Sequence, residues 1–225
     1  MLRSVILAAS RSPRIERLVA TAPLSRDVVR RLVAGTTTED ALRVTRELVA
    51  DGLAVSLDYL GEDTFTAAQA TATRDEYLGL LAGLAQAELT PAAEISLKLS
   101  ALGQRFDEQR AHDYAAEICA AASEAGTTVT LDMEDHTTTD STLEILAKLR
   151  QDFPTTGVAL QAYLRRTEAD CRDLAGHGSR VRLCKGAYAE PESVAYQSPL
   201  DVDKSFVRCL NILMSGQGYP MLATH

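Results

Sequence analysis

Four kinds of signal are missing from this chain, and each absence narrows its reading. No cysteines stand in a CxxC spacing: Cys119, Cys171, Cys184 and Cys209 are scattered, which reads as structural thiols in a reducing compartment, with a disulfide or a zinc site as the alternative. No run of about 18 apolar residues occurs, so no membrane span is expected. No basic stretch offsets the formal net charge of -8, which argues against a nucleic-acid surface. No glycine-rich GxGxxG turn follows the first expected strand, which weakens a dinucleotide-binding fold. The apolar start, Met1 to Ser10, runs directly into Arg11, Arg14 and Arg17, and reads as an amphipathic helical start rather than an export signal.

What is present is enough for one substantial globular domain: 225 residues, 46% hydrophobic and 24% charged. Residues 1–52 read as an N-terminal helical segment. Ile15, Leu18 and Val19 share one face, Val28, Val29, Leu32 and Val33 another, and Pro13 and Pro23 punctuate them. Thr37-Thr38-Glu39-Asp40 is placed to cap a further helix that Asp51-Gly52 ends.

From 53 to 225 strands alternate with helices. Strands are expected at Leu53 to Leu60, Glu94 to Ser100, Thr128 to Glu134, Val158 to Leu164, Arg180 to Gly186 and Pro220 to His225. Between them the pattern predicts helices over Thr66 to Ala87, with Thr66 and Gln69 as a capping box, and over Glu108 to Ala125, closed by Gly126. Shorter helices are expected over Ser141 to Gln151, Thr167 to Ala175 and Asp201 to Ser215.

Such alternation predicts a parallel sheet with right-handed crossovers, in the α/β class. Polar residues gather at or near every strand end: Glu62, Lys98, Asp132 to Asp135, Gln161 and Tyr163, Lys185 to Tyr188, Thr224 and His225. A site drawn from all strand ends points to a (β/α)8 TIM-type barrel rather than an open sheet with one crevice. Six strands are expected where a barrel needs about eight to close. Residues 53–225 therefore read as an incomplete barrel, and the chain as a fragment.

Asp132-Met133-Glu134-Asp135 puts three carboxylates at one strand end. They suit a metal, acid–base work, or ion pairs with arginines such as Arg165, Arg166 and Arg182; His136 and His225 do not stand in a diagnostic metal spacing. Lys98 interrupts an apolar strand on the face of Ser96, taken as the barrel interior. There it needs a carboxylate or an anionic ligand, and a Schiff-base role is a further reading. Gln161, Tyr163 and Arg165 alternate, and an amide can read the edge of a heterocycle. Arg180, Arg182 and Cys184 share one face, so at least one of the two arginines is placed to point inward, a surface or structural pair being the alternative. Lys185-Gly186-Ala187-Tyr188 then offers charge, close backbone approach, a small residue and a flat apolar wall.

Together these segments resemble the proline dehydrogenase family, flavin-dependent (β/α)8 enzymes that oxidise proline. The resemblance rests on Ser56 to Glu62 (SLDYLGE), Ser96 to Ser100 (SLKLS), Leu131 to Asp135 (LDMED), Leu160 to Thr167 (LQAYLRRT), Arg182 to Tyr188 (RLCKGAY) and Ala223 to His225 (ATH). It covers about residue 30 to the last residue, with the LCKGAY and LDMED segments the most specific. It implies that Lys98 helps neutralise the proline carboxylate, that Tyr188 packs on the substrate ring, and that Asp132 is the active-site aspartate beside them. It further implies FAD contacts at Met133, Gln161, Arg182, Lys185, Gly186, Ala187, Thr224 and His225, with Gln161 at the isoalloxazine and Arg182 near N5.

The function implied is oxidation of L-proline to 1-pyrroline-5-carboxylate in proline catabolism, with FAD passing electrons to a quinone. A cytoplasmic protein with peripheral contact to the inner membrane would follow. The family's final strands, and a last helix whose paired arginines and glutamate grip the substrate carboxylate, have no counterpart in the sequence; the resemblance therefore implies weak or no activity in this form. Two other readings stand beside it: another barrel enzyme using Lys98 as a Schiff base, and a non-catalytic partial barrel that binds a partner through its open edges.

Overall fold

A computed structural model describes residues 33–61 and 64–224. The chain divides into two compact units, at Glu47 and Leu48. Helix α1 spans Thr38–Ala50. The Thr37 hydroxyl accepts the Asp40 amide at 3.2 Å, so the expected cap forms. Pro13, Pro23 and the helical faces read between Ile15 and Leu32 lie outside the described residues.

Six strands follow: β1 Val55–Asp58, β2 Ala93–Leu97, β3 Val129–Leu131, β4 Gly157–Gln161, β5 Arg180–Cys184 and β6 Tyr219–Leu222. They pair in sequence order, every pair parallel. Helices α2 Ala67–Gln86, α3 Glu108–Glu124, α4 Thr139–Asp152, α5 Thr167–Asp173 and α6 Pro199–Met214 make the crossovers. Among the described residues the sheet has two edges, β1 and β6.

Local chemistry sets the helix bounds. Thr66 and Gln69 form the expected capping box at α2. Asp107 caps α3 by accepting the Arg110 amide at 3.0 Å. Helix α4 begins two residues earlier than its sequence pattern suggests. Asp135 accepts the Thr137 amide at 2.9 Å and starts a 3-10 turn, His136–Thr138, that runs straight into it. Thr167 opens α5, but its hydroxyl donates to the Gln161 carbonyl at 2.6 Å instead of capping the helix.

The strands are shorter than the apolar runs that announced them. Leu99 is fully buried, yet β2 ends at Leu97 and a 3-10 turn, Ser100–Leu102, follows. Tyr163 and Leu164 are likewise buried beyond the end of β4. Burial continues where the ladder stops because the chain turns out over the sheet's C-terminal rim, still packed against the crossovers. The alternation expected for Gln161, Tyr163 and Arg165 therefore breaks after Gln161.

One face of the sheet is apolar. Ile95, Leu97, Val129, Leu131, Val158, Leu160, Val181 and Leu183 are each at most 1% exposed. The other face carries Ser56, Asp58, Glu94, Ser96, Thr130, Arg180 and Arg182, and contacts across it measure the curvature. Arg182 on β5 donates to the Ser56 hydroxyl on β1 at 2.8 Å, four strands away. Strands about 4.8 Å apart would put β5 and β1 about 19 Å apart in a flat sheet. A guanidinium cannot span that distance, so the sheet is curled into a half-barrel with the polar face inside. This is the barrel-type α/β architecture expected from the strand–helix alternation, with six strands present.

Candidate active site

The inner face is lined by charge because period-2 alternation sends every second residue of these strands inward. Lys98, one residue past β2, forms a short ion pair with Asp58 at the end of β1 and reaches Asp132, just past β3, at 3.6 Å. Asp132 also accepts the Ser96 hydroxyl at 2.7 Å and Arg182 at 3.1 Å. Arg182 donates further to Ser96 at 2.9 Å and Glu94 at 3.0 Å. Glu94 takes Arg180 at 2.6 Å. Three cations thus face three carboxylates across four strands, and both arginines of β5 point inward.

Two glycines make room for this network. A Cβ at Gly157 would sit 2.8 Å from the Thr130 hydroxyl and 3.3 Å from the Arg180 Cβ, so only glycine lets β4 pass between them. Gly186, at φ 112°, has the Tyr163 ring lying where a Cβ would be. The close approach that its position invites is made by that ring.

Asp58 is under competing influences. Desolvation raises its pKa; Lys98 pulls it down without fully offsetting that, and nearby Asp132 adds to the rise. Tyr77, fully buried on α2, shares its one hydroxyl proton between the Ser96 carbonyl at 3.1 Å and Asp58 at 3.3 Å. Burial, with Asp58 beside it, pushes its phenol far above the usual range. Cys184 ends β5 with its thiol pushed up to about 11, first by burial and then by the charge of Asp132.

A second group sits at the ends of β3, β4 and β5. Gln161 is 4% exposed; its amide donates to the Met133 carbonyl at 3.0 Å, while its own carbonyl oxygen is buried without a hydrogen-bond partner. Met133 is 6% exposed. Tyr188 packs against the Tyr163, Leu164 and Ala195 cluster. Glu190 accepts the His136 amide at 2.9 Å, the Tyr163 hydroxyl at 3.4 Å, and a short contact from the His136 ring, fixing the segment that follows β5.

Other sequence-predicted residues lie elsewhere. Lys185 turns to α6 and pairs with Asp203 at 2.7 Å, apart from the inner cluster. Ala187 and Thr224 are exposed. Glu62 and His225 lie outside the described residues. The arginine pairings expected for the LDMED carboxylates hold only for Arg182. Arg165 stacks on Tyr196 with 4.8 Å to the ring centroid. Arg166 binds Asp140 at 2.5 Å and Asp170 at 2.9 Å, because Asp170 stands one helical turn away on its own helix. Asp135 pairs instead with Arg105 at 2.5 Å, and Glu134 accepts the Ser100 amide at 3.0 Å.

Sequence reasoning missed Asp58, Glu94 and Tyr77. For the first two the signal was present: Ser56 and Asp58, like Glu94, Ser96 and Lys98, recur at the period that marks one face of a strand. Tyr77 gave none, since its partners are 18 or 19 residues away along the chain.

A curled parallel sheet with crossover helices, whose strand ends converge on buried charge, a buried unpaired amide oxygen and an aromatic wall, defines an enzyme of the (β/α)-barrel class. Among these enzymes the chain belongs to the proline dehydrogenase family: the family model described as Proline dehydrogenase matches residues 41–225. It is 32% identical over 225 residues to Proline dehydrogenase 1 of Bacillus subtilis, covering 100% of this chain and 74% of that protein. It is 35% identical over 228 residues to Proline dehydrogenase of Deinococcus radiodurans, covering 99% and 72% respectively.

The crystal structure of proline utilization A (PutA) from Bdellovibrio bacteriovorus, inactivated by N-propargylglycine, shares the fold, with a TM-score of 0.78 at 23% identity over 86% of this chain. A PutA mutant from Bradyrhizobium japonicum gives 0.71 at 25% identity over 94%. The chain spans about a quarter of the length of those PutA chains, 25% and 26%.

Proposed function

We propose that this chain oxidises L-proline to 1-pyrroline-5-carboxylate in proline catabolism, with FAD as cofactor and a quinone as the electron acceptor. The observation that carries the reading is the convergence on one inner face of Lys98 and Asp132, just past the ends of β2 and β3, with Arg182 from the middle of β5, in a chain of this family.

The residues present suit a flavin. The unpartnered Gln161 carbonyl oxygen is an acceptor without a donor, which is costly in a buried setting and suits the N–H edge of a heterocycle. Gln161, Met133 and Arg182, with Lys185, Gly186, Ala187 and Thr224 further along the chain and His225 on the family resemblance alone, are the residues that would hold FAD. When bound, FAD supplies the hydride acceptor, and the protein's part is to bind, orient and tune.

Lys98 offers its ammonium to the substrate carboxylate. Held by two carboxylates, its nitrogen is engaged as a donor, which does not suit the free amine that a Schiff base needs. Asp132 fixes both Lys98 and Arg182, so one carboxylate sets the spacing between substrate and cofactor cations; a misplacement of about 1 Å there would cost rate steeply. Tyr188 walls the ring and keeps water from it. The substrate amine must lose its proton before or as the hydride leaves, and Asp132 with Lys98 sets the field in which that happens. Membrane contact would be peripheral: among the described residues no helix is long and apolar enough to cross a membrane.

Dye-linked turnover tests this reading. With FAD present, L-proline should drive reduction of an artificial quinone-like dye, other amino acids should not, and Lys98→Met should raise KM for proline more than it lowers kcat. A flavin-loaded protein that reduces no dye with proline would overturn the assignment.

A further inference from the structure

Asp58 already pairs with the ammonium that the proposed function assigns to the substrate carboxylate. Lys98 is held by Asp58 on one side and Asp132 on the other. Asp132 has Arg182 and Ser96 as further partners, whereas Asp58 is secured by the Tyr77 hydroxyl. That hydroxyl also accepts the Tyr59 amide at 3.2 Å and donates to the Ser96 carbonyl, so Tyr77 ties the end of β1 to β2 and fixes where Asp58 points. Among the described residues the charges facing Asp58 are Lys98 beyond β2 and Asp132 beyond β3, with the Tyr77 phenol on α2; Arg182 of β5 lies one contact further, through Asp132.

We propose that Asp58, held by Tyr77, is a positioning residue that occupies the Lys98 ammonium in the absence of substrate and yields it to the substrate carboxylate. The inference rests on the assignment of Lys98 to that carboxylate. Among the described residues of this network three cations face three carboxylates, and a substrate carboxylate binding Lys98 would compete with the two that already pair with it. Asp58 is the one to give way: it sits on the edge strand, its side chain keeps 27% of its surface exposed, and desolvation already disfavours its charge. An entering carboxylate would then compete with ionised Asp58 and not with protonated Asp58. As pH rises above the ordinary aspartate value of 3.8 and Asp58 ionises, binding should weaken relative to a chain lacking that carboxylate, whereas the ligand's own ionisation is common to all variants.

The test uses cyclopentanecarboxylate, which keeps a five-membered ring and carboxylate but has no amine to oxidise. Its affinity for the purified full chain is measured by calorimetry from about pH 3.8 to neutral, for wild type and for Asp58→Asn, Tyr77→Phe and Lys98→Met. Asp58→Asn should bind about fivefold more tightly near neutral pH, the worth of one competing surface charge, and the gap between it and wild type should close as pH falls and Asp58 takes up its proton. Tyr77→Phe should shift affinity the same way by less. If Asp58→Asn does not fold by circular dichroism, Asp58→Ser takes its place, since a hydroxyl can still accept from Tyr77. Weak binding by Lys98→Met, with Asp58→Asn matching wild type in affinity and pH profile, would overturn the role of Asp58 and leave the Lys98 assignment standing. Wild-type binding by Lys98→Met would overturn the assignment itself.

Discussion

Arg182 joins more of the inner face than any other side chain described, and replacing it with methionine tests that role in stability. Four hydrogen bonds disappear, to Ser56, Glu94, Ser96 and Asp132. Leaving a buried charge without its partner costs roughly 3–5 kcal/mol. Here the loss is cushioned. Glu94 keeps Arg180 at 2.6 Å, and Asp132 keeps the Ser96 hydroxyl at 2.7 Å and Lys98 at 3.6 Å. The side chains also retain some solvent: 19% for Arg182, 15% for Glu94 and 22% for Asp132. The expected cost is therefore about 2 kcal/mol, a fall in Tm of roughly 4–8 °C for a chain of this size.

Arg180→Met is the control. Glu94 then keeps Arg182 at 3.0 Å, the stacking of Arg180 on Tyr219 is lost, and the Arg180 Nε has no partner to lose. About 1 kcal/mol is expected. Urea unfolding near neutral pH measures both, and a cycle with Glu94→Gln separates the Arg182–Glu94 coupling from the rest. An Arg182→Met loss below about 0.5 kcal/mol, or one smaller than that of Arg180→Met, would refute the network as drawn.

Gly186→Ala sets a methyl group against the Tyr163 ring at a positive φ; about 2–4 kcal/mol of stability should be lost, and the variant should retain less flavin on gel filtration. Thr66→Ala removes the capping box of α2 and should cost about 1 kcal/mol in urea unfolding, with no change in proline turnover. Asp135 is drawn upward by burial, but the Thr137 hydroxyl and amide and the Arg105 guanidinium outweigh this and hold its pKa below the usual 3.8. A lowered carboxyl pKa stabilises the fold above the unfolded value, and that share is lost as pH falls through the folded one. Urea midpoints followed downward from 3.8 should thus decline less steeply in Asp135→Asn than in wild type; parallel declines would remove Asp135 from the explanation.

The alternation of strand and helix was plain in the sequence because apolar runs of five to eight residues and caps such as Thr66 with Gln69 act locally. The half-barrel followed from it, since polar residues at every strand end are hard to reconcile with a flat sheet. Strand ends were misjudged where burial outlasts the ladder, as at Leu99 and Tyr163. The inner cluster was half legible: alternation placed Lys98 inward and at least one of Arg180 and Arg182 with it, but pairings depend on which strands the curl brings face to face. Arg182 meets Ser56 126 residues away along the chain. Lys185 is a similar case. Its place at a strand end is plain in the sequence, but its ion pair with Asp203 on α6 is made across a crossover and has no signal in the spacing.

The most direct measurement is the visible absorption spectrum of the purified chain with FAD, taken anaerobically before and after adding L-proline. Bound-flavin bands that bleach with L-proline, and bleach far less in Arg182→Met, are the predicted result. A bound flavin that stays oxidised in excess proline would contradict proline oxidation by this chain, and failure to retain flavin at all would contradict the placing of the cofactor at the rim formed by Met133, Gln161 and Gly186.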